Sequence, residues 1–187
     1  MEIYSWNKKL ILRSFIKADI ADYLRWFTTE TDWMDYDAPW EKEISSIEEE
    51  QAYWESYYHK TLNRNQDIPQ RLEITLNNEE KTHIGWVIYY YINEQYQYIE
   101  YQGRYTIGID IPDQRYRGQG YGYLALKTYI SFLKDKEIKT IYLQTWSGNK
   151  VMTALSTKLG FVVCNRIKNH RFVNGVFYDA LTYYLDI

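Results

Sequence analysis

The sequence predicts an α/β fold with a mixed, mostly antiparallel sheet flanked by helices, and three observations point there. From Arg71 onward, apolar and polar residues alternate through successive segments, the pattern of half-buried strands. Elsewhere apolar residues recur every three to four positions, the spacing of a helix face. One run reads strand, glycine loop, helix, strand, which makes two of the strands parallel across a crossover. At 187 residues the chain can bury its own core without a disulfide or metal staple, and no linker divides it. Residues 1–187 are expected to form one domain.

Each element has its own signature. Residues 9–13 read as a short strand, and Asp19 stands as an N-cap before Ile20, Tyr23, Leu24 and Phe27 at helical spacing. Residues 29–43 hold no clean period. Ser46 and Glu49 then offer a capping box ahead of a second helix, with Ile47, Trp54, Tyr58 and Leu62 on one stripe. Leu72, Ile74 and Leu76 begin a meander that turns at residues 77–81 and continues as a longer strand over 84–92. A further strand over 105–111 places Ile107, Ile109 and Ile111 on one face, Thr106, Gly108 and Asp110 on the other, and Pro112 ends it. Residues 121–134 form a helix and 140–145 a strand with Ile141 and Leu143 inward. A helix over 149–159 follows, with Val151, Leu155 and Leu159 aligned and Gly160 just past its end. Asn174-Gly175 marks a closing hairpin.

Composition excludes several functions. With 22 basic and 25 acidic side chains the net charge is −3, which disfavours a nucleic-acid binder. One cysteine, Cys164, and three histidines show no metal-ligand spacing, so no metal is expected, and Cys164 reads as a small buried hydrophobe. Apolar runs are too short for a signal peptide or a membrane span, and the expectation is a soluble cytoplasmic protein with no membrane partner. The unusual number is aromatic, at 18% with 21 tyrosines, suited equally to half-buried strand faces and to pocket walls.

The most informative segment runs from Arg115 to Gly122, R-Y-R-G-Q-G-Y-G, between a strand end and a helix start. Glycines there let backbone N–H groups approach a ligand, and the helix adds its unsatisfied first-turn donors, so phosphate oxygens are the natural occupants. A Walker loop needs Lys and Ser/Thr after the last glycine, but Tyr123 and Leu124 follow; a dinucleotide fingerprint needs a glycine where Tyr123 stands. The remaining spelling, R-x-x-G-x-G through Arg115, Gly118 and Gly120, resembles the pyrophosphate signature of the GNAT acetyltransferases. The likeness extends over the chain: two N-terminal helices, a meander, the loop, a strand at Thr140, then Asn149 opening a helix that ends Lys158-Leu159-Gly160-Phe161. Ile84-Gly85-Trp86, residues 108–112 and residues 118–122 look most like the branch holding ribosomal-protein and polyamine acetyltransferases.

The resemblance implies a GNAT-like sheet whose two central parallel strands splay apart around acetyl-CoA as co-substrate. The backbones of Ile109 and Ile111 would pair with pantetheine, and the segment Arg115, Arg117, Gly118, Gln119, Gly120, Tyr121 and Gly122 would hold the pyrophosphate. Asn149 would contact the cofactor near its pantetheine end. The reaction would be direct attack of a primary amine on the thioester, the acceptor being a small polyamine, an aminoglycoside-like compound or a protein N-terminus. An ammonium with pKa near about 10 must first lose its proton. Asp110 is the candidate base and Glu100 a weaker one, against the plainer reading of a solvated strand carboxylate. The family's thiolate-protonating tyrosine is replaced by Ser156, either an acid through its hydroxyl or an ordinary exposed helix residue.

Asp32, Asp35, Asp37 and Glu41 crowd a segment shared with Trp33, Tyr36 and Trp40. Asp32, Trp33, Asp35 and Trp40 are candidate acceptor-binding residues through charge and cation–π attraction; a solvated acidic loop is the bland alternative. Tyr89 and Tyr91 fall on one sheet face and Tyr90 on the other. His59 and His83 lack neighbours suggesting a triad. Two other readings stand beside the enzyme: a non-catalytic acyl-CoA sensor, and an α/β protein for another phosphate ligand. Aromatics in the C-terminal hairpin are compatible with a homodimer.

Overall fold

The computed structural model describes residues 1–62 and 66–187. Strands β1 (Glu2–Tyr4) and β2 (Leu10–Arg13) precede helices α1 (Ile20–Thr28) and α2 (Ile47–Leu62). Strands β3 (Arg71–Leu76), β4 (His83–Ile92), β5 (Tyr98–Ile99) and β6 (Arg104–Asp110) form the meander. Helix α3 (Tyr121–Asp135), strand β7 (Thr140–Trp146), helix α4 (Lys150–Leu159) and the hairpin of β8 (Val162–Val173) and β9 (Val176–Asp186) complete the chain. The spatial order is β1-β2-β3-β4-β6-β7-β9-β8, with β5 beside β4. β6 and β7 are parallel, and the other pairs along this order are antiparallel. This is the mixed α/β fold the sequence predicts.

Local chemistry explains most element ends. The Ser46 hydroxyl accepts the Glu49 N–H at 3.2 Å while the Glu49 carboxylate accepts the Ser46 N–H at 3.0 Å, the reciprocal capping box. Asn174 and Gly175 both have positive φ, 49° and 82°, as a two-residue hairpin turn requires. Asp19 behaves differently from expectation. Its carboxylate makes no cap bond to α1; it takes both Arg13 guanidinium nitrogens at 2.7 and 2.6 Å and the Ile16 N–H at 2.8 Å. Strands β1 and β5 were not foreseen, because three and two residues carry no readable period. Ile47, Leu62 and Val151 lie on the predicted stripes yet are exposed, so α2 is buried chiefly through Trp54 and α4 through Ser156, flanked by half-buried Met152 and Leu155. Cys164 is half-buried, its thiol directed at the Thr182 carbonyl.

Two cores sandwich the sheet. On one face α3 and α4 pack on Leu72, Ile74, Val87, Ile107, Ile141 and Leu143. On the other, α1 and α2 enclose an aromatic cluster of Phe15, Tyr23, Trp26, Trp33, Trp54 and Trp86. Each fully buried large side chain there contributes about 1.5–3 kcal/mol, and Tyr23 stacks on Trp54 at 3.8 Å between centroids. Gly85 lets β4 and the end of β6 meet closely, since a methyl group there would collide with the Asp110 carbonyl.

The aromatic core hides a chain of polar groups. Arg71 lies over the rings of Tyr23, Trp54 and Trp86 at 5.2, 5.1 and 4.8 Å and donates to the Tyr23 hydroxyl at 2.7 Å. That hydroxyl donates to the Glu73 carboxylate at 2.7 Å, and His83 bridges Glu73 at 3.0 Å to Asp22 at 3.1 Å. Burial opposes a charge on His83, but the bonds to Asp22 and Glu73 and the nearby carboxylates outweigh it and raise its pKa to about 9. Asp19, Asp22 and His83 also bring ligand-type atoms within 4.8 Å of one another, a grouping no sequence spacing shows. With both ring nitrogens donating and Asp19 held by Arg13, the group is an ion-pair knot.

Strand β8 is the sheet's outer edge, and its pairing with β9 slips twice, between Val163 and Asn165 and between Ile167 and Arg171. The hairpin tip leaves Phe172 and Phe177 exposed.

Because His83 has a higher pKa folded than the unfolded value of 6.5, its contribution to stability is complete below about 6.5 and is lost as pH rises through about 9. Denaturant unfolding across that range should show wild-type stability declining toward alkaline pH. The decline should be shallower in His83→Gln.

Candidate functional site

The site begins where two strands part. β6 is paired with β4 from Arg104 to Asp110, and β7 with β9 from Thr140 to Trp146. Between them only Thr106 with Tyr142 and Ile107 with Leu143 are in register. Beyond these the strands separate, and the peptide groups of residues 108–110 and 144–146 border a wedge. A strand edge without its neighbour offers hydrogen bonds to an extended ligand. Ile109 lies on this arm of β6, and Ile111 follows one residue past the strand's end, where the sequence predicts the strand to continue.

At the mouth of the wedge, buried Asp113 accepts the Arg115 N–H at 2.9 Å and shapes the turn into the glycine loop. Gly118 and Gly120 have φ of +71° and +85°, a region that L side chains rarely adopt, and no atom lies within 4 Å of where a Cβ would sit. Glycine is therefore required by backbone conformation, and the space above the loop is open. Gly120 caps α3 without a side chain, so no cap side chain takes up the N–H groups of the first turn, the donors that a helix start offers to an anion. Gly122 sits where α3 meets Ile109, Ile111 and Leu155. This cradle fits a pyrophosphate. The two arginines are already engaged: Arg115, largely exposed, holds Asp113, and Arg117 donates from Nε to the Ile111 carbonyl at 2.8 Å. The Gln119 amide donates to the Arg115 carbonyl, and the Tyr121 ring packs edge-on to Tyr116.

The profile of the acetyltransferase (GNAT) domain matches residues 9–162. The chain belongs to the GNAT acetyltransferase family. No curated protein sequence matches it. Among solved structures, a GNAT-family acetyltransferase from Bacillus anthracis is similar over 100% of this chain and 98% of its own, with TM-score 0.72 and 16% identity. RimL, a ribosomal L7/L12 α-N-protein acetyltransferase in complex with coenzyme A, gives the same coverage with TM-score 0.71 and 16% identity. Spermidine N-acetyltransferase from Vibrio cholerae, in complex with CoA and spermine, aligns over 95% of each chain with TM-score 0.68 and 21% identity. As a GNAT acetyltransferase the protein is an N-acetyltransferase that uses acetyl-CoA. Among the described residues, no helix is long and apolar enough to cross a membrane.

Asp110 sits at the last residue of β6, in register with Trp86 and hence on the aromatic face. Burial and then the neighbouring charge of Asp37 push its carboxyl well above the ordinary carboxylate range, against the pull of Arg71, the Trp86 indole N–H and Arg117. Glu100 lies exposed before β6, at the opposite end of the strand. Ser156 is not the exposed helix residue of its plainer reading: it is fully buried, and its hydroxyl donates to the Met152 carbonyl at 2.8 Å. Asn149 is likewise committed. Its Oδ1 accepts the Met152 N–H at 2.9 Å as the N-cap of α4, and its Nδ2 donates to the Tyr36 carbonyl at 2.7 Å.

That last bond reveals the place of the acidic segment. Tyr36 also receives the Trp146 indole N–H on its carbonyl at 2.9 Å, and Asp32 pairs with Arg117 at 2.6 Å, so residues 32–36 run between the two walls of the wedge. Next to Tyr36, Asp37 is pushed up by its protein surroundings and by Glu41. Burial and the Asp37 charge also raise the Tyr90 phenol, which donates to Gln144 of β7 at 3.2 Å. Trp40 meets Trp146 edge-on under the Arg171 guanidinium, 4.3 Å from the ring. Trp33 belongs to the aromatic core, its indole N–H given to the Trp26 carbonyl, and Asp35 is exposed and paired with Lys42. A cavity of about 300 Å³ opens beside this segment, lined by Phe27, Trp33, Asp37, Glu41 and Glu50 among others. A larger one, about 410 Å³, lies at the His83 knot, where the charges are mostly paired internally.

Sequence reading missed Arg71, Trp86, Asp113 and Trp146, and gave Asp37 no role apart from its acidic neighbours. Only the alternation that opposes Asp110 to Ile109 hinted at which face Asp110 takes.

A Gly120→Val substitution should force a branched side chain into the left-handed region at a cost of about 1–3 kcal/mol. Calorimetric titration should show acetyl-CoA affinity reduced about tenfold or more, with the far-ultraviolet circular dichroism of a folded protein.

Proposed function

We propose that this enzyme acetylates a small cationic amine of polyamine type, with Asp110 as general base. The observation that carries the reading is the character of the cavity beside residues 32–41. Asp37, Glu41, Glu43 and Glu50 line it against a single Lys42, with the rings of Phe27 and Trp33 in its wall. Carboxylates beside aromatic faces attract ammonium groups, and about 300 Å³ is at the small end of ligand pockets. The spermine bound to the Vibrio cholerae relative has this chemistry, whereas a protein N-terminus, as in RimL, calls for a more open approach.

When bound, acetyl-CoA supplies an acyl group activated as a thioester. The chain's part is to orient and deprotonate. The glycine loop and the first turn of α3 hold the pyrophosphate, the free arm of β6 lines up the pantetheine, and its peptide N–H groups are the donors at hand to polarise the acyl oxygen. Asp37 and Glu41 draw the ammonium in, and Asp110, held by the Trp86 indole, takes its proton. A carboxyl raised by burial is a stronger base than one in water, which suits proton transfer from an amine near neutral pH. Ser156 has no part in returning a proton to the thiol, since its hydroxyl is spent on Met152.

Three measurements test this. Free-thiol release with spermidine, an aminoglycoside and a peptide N-terminus should be fastest with the polyamine; a clear preference for the peptide would overturn the acceptor assignment. Asp110→Asn should lower turnover by about 10²–10⁴-fold while acetyl-CoA affinity is retained. In wild type, activity should rise with pH through an inflection above the ordinary carboxylate range, and that inflection should vanish in the variant. A persisting inflection would remove Asp110 as the base.

A further inference from the structure

Arg117 is held in place without help from Asp32. Its Nε donates to the Ile111 carbonyl at 2.8 Å and its Nη2 to the Pro112 carbonyl, which fixes the guanidinium at the end of β6. Its Nη1 is left for Asp32, and Arg117 immediately precedes Gly118 of the cradle in the chain. Asp32 meets it with both carboxylate oxygens, at 2.6 and 3.3 Å, and the Tyr36 ring lies 5.6 Å from the guanidinium carbon. Asp32 itself is half exposed at 50%, and among the described residues its carboxylate is hydrogen-bonded to Arg117 alone. An anchored guanidinium edge is a receptor for any planar or tetrahedral oxyanion, because its donors are fixed in a fork. An internal carboxylate therefore occupies an anion receptor beside the phosphate cradle, and the segment carrying that carboxylate is tied on its far side to Trp146 and Asn149.

We propose that Asp32 is an internal stand-in for the pyrophosphate: it occupies the outward edge of Arg117 until acetyl-CoA displaces it, freeing that end of residues 32–36 while the Tyr36 end stays attached. The proposal rests on the assignment of the glycine loop as the pyrophosphate site. Asp32 thereby changes role from the acceptor-binding residue expected from sequence to a competitor for the cofactor. The strap that borders the acceptor cavity is thus loosened on one side by the same event that loads the acyl donor, while Asp37 stays next to the fixed point at Tyr36. No covalent step is involved, only an exchange of partners on one guanidinium.

The test is calorimetric titration of acetyl-CoA into four proteins: wild type, Asp32→Asn, Arg117→Gln and the double variant, each checked for folding by circular dichroism. Asp32→Asn keeps the side-chain shape and removes only the charge, so acetyl-CoA should bind about two- to fivefold tighter, the range expected for losing a partly exposed competing ion pair. Glu94→Gln, which removes one exposed charge on the β4–β5 turn, should leave the affinity unchanged. In the Arg117→Gln background the Asp32 substitution should give no gain, since the two residues act through one contact. Unchanged or weaker binding in Asp32→Asn would overturn the proposal, as would an equal gain with and without Arg117. Absence of acetyl-CoA binding in wild type would overturn the phosphate-loop assignment itself.

Discussion

Everything at the site depends on two parallel strands that are paired for two residues and then part. A strand end lacking a neighbour would ordinarily fray or bend back, because its peptide groups are unsatisfied on that side. Here each strand is held straight by its other neighbour: β6 by β4 along its whole length, β7 by β9 along its whole length. The antiparallel pairs bear the structure, and the parallel pair is left free to open. The closed end of the wedge lies at Ile107 and Leu143, both buried, so the opening rests on the main core.

The aromatic face has the complementary task of setting the electrostatics of one carboxyl. Tyr23, Trp54 and Trp86 surround Arg71, and Arg71 and Trp86 in turn restrain Asp110. The Tyr23 hydroxyl, Glu73 and His83 extend this arrangement to Asp22 at the protein surface. A cation deep in an aromatic cage needs such a chain of partners, since burying it alone would cost several kcal/mol. Packing and chemistry are thus the same set of side chains on this face, which takes four of the chain's seven tryptophans.

What could be read from the sequence was whatever is local. The capping box at Ser46, the Asn174-Gly175 turn, the left-handed Gly160 and the glycine loop each place their signal within a few residues, and each appears in the structure. What stayed hidden joins distant residues. His83 meets Asp22 across 61 positions, and Asn149 meets Tyr36 across 113, a tie for the acidic segment that no local spelling shows. The acidic segment showed no period because it is built of short 3-10 turns and is tied to distant elements as well as to itself. Ser156 was ambiguous for a related reason: a hydroxyl in a helix can bond its own backbone one turn back, and nothing in the spelling tells whether it does.

The slipped register of β8 has a consequence beyond the site. A twelve-residue strand at the rim of a sheet is a template on which other chains can add, and such addition is the first step of aggregation. Two irregularities break this strand into short stretches, and Arg166, Lys168 and Arg171 put positive charge along it. A second copy laid antiparallel would have to match broken spacings and bring like charges together. The sheet is therefore terminated by chemistry where its topology would let it grow.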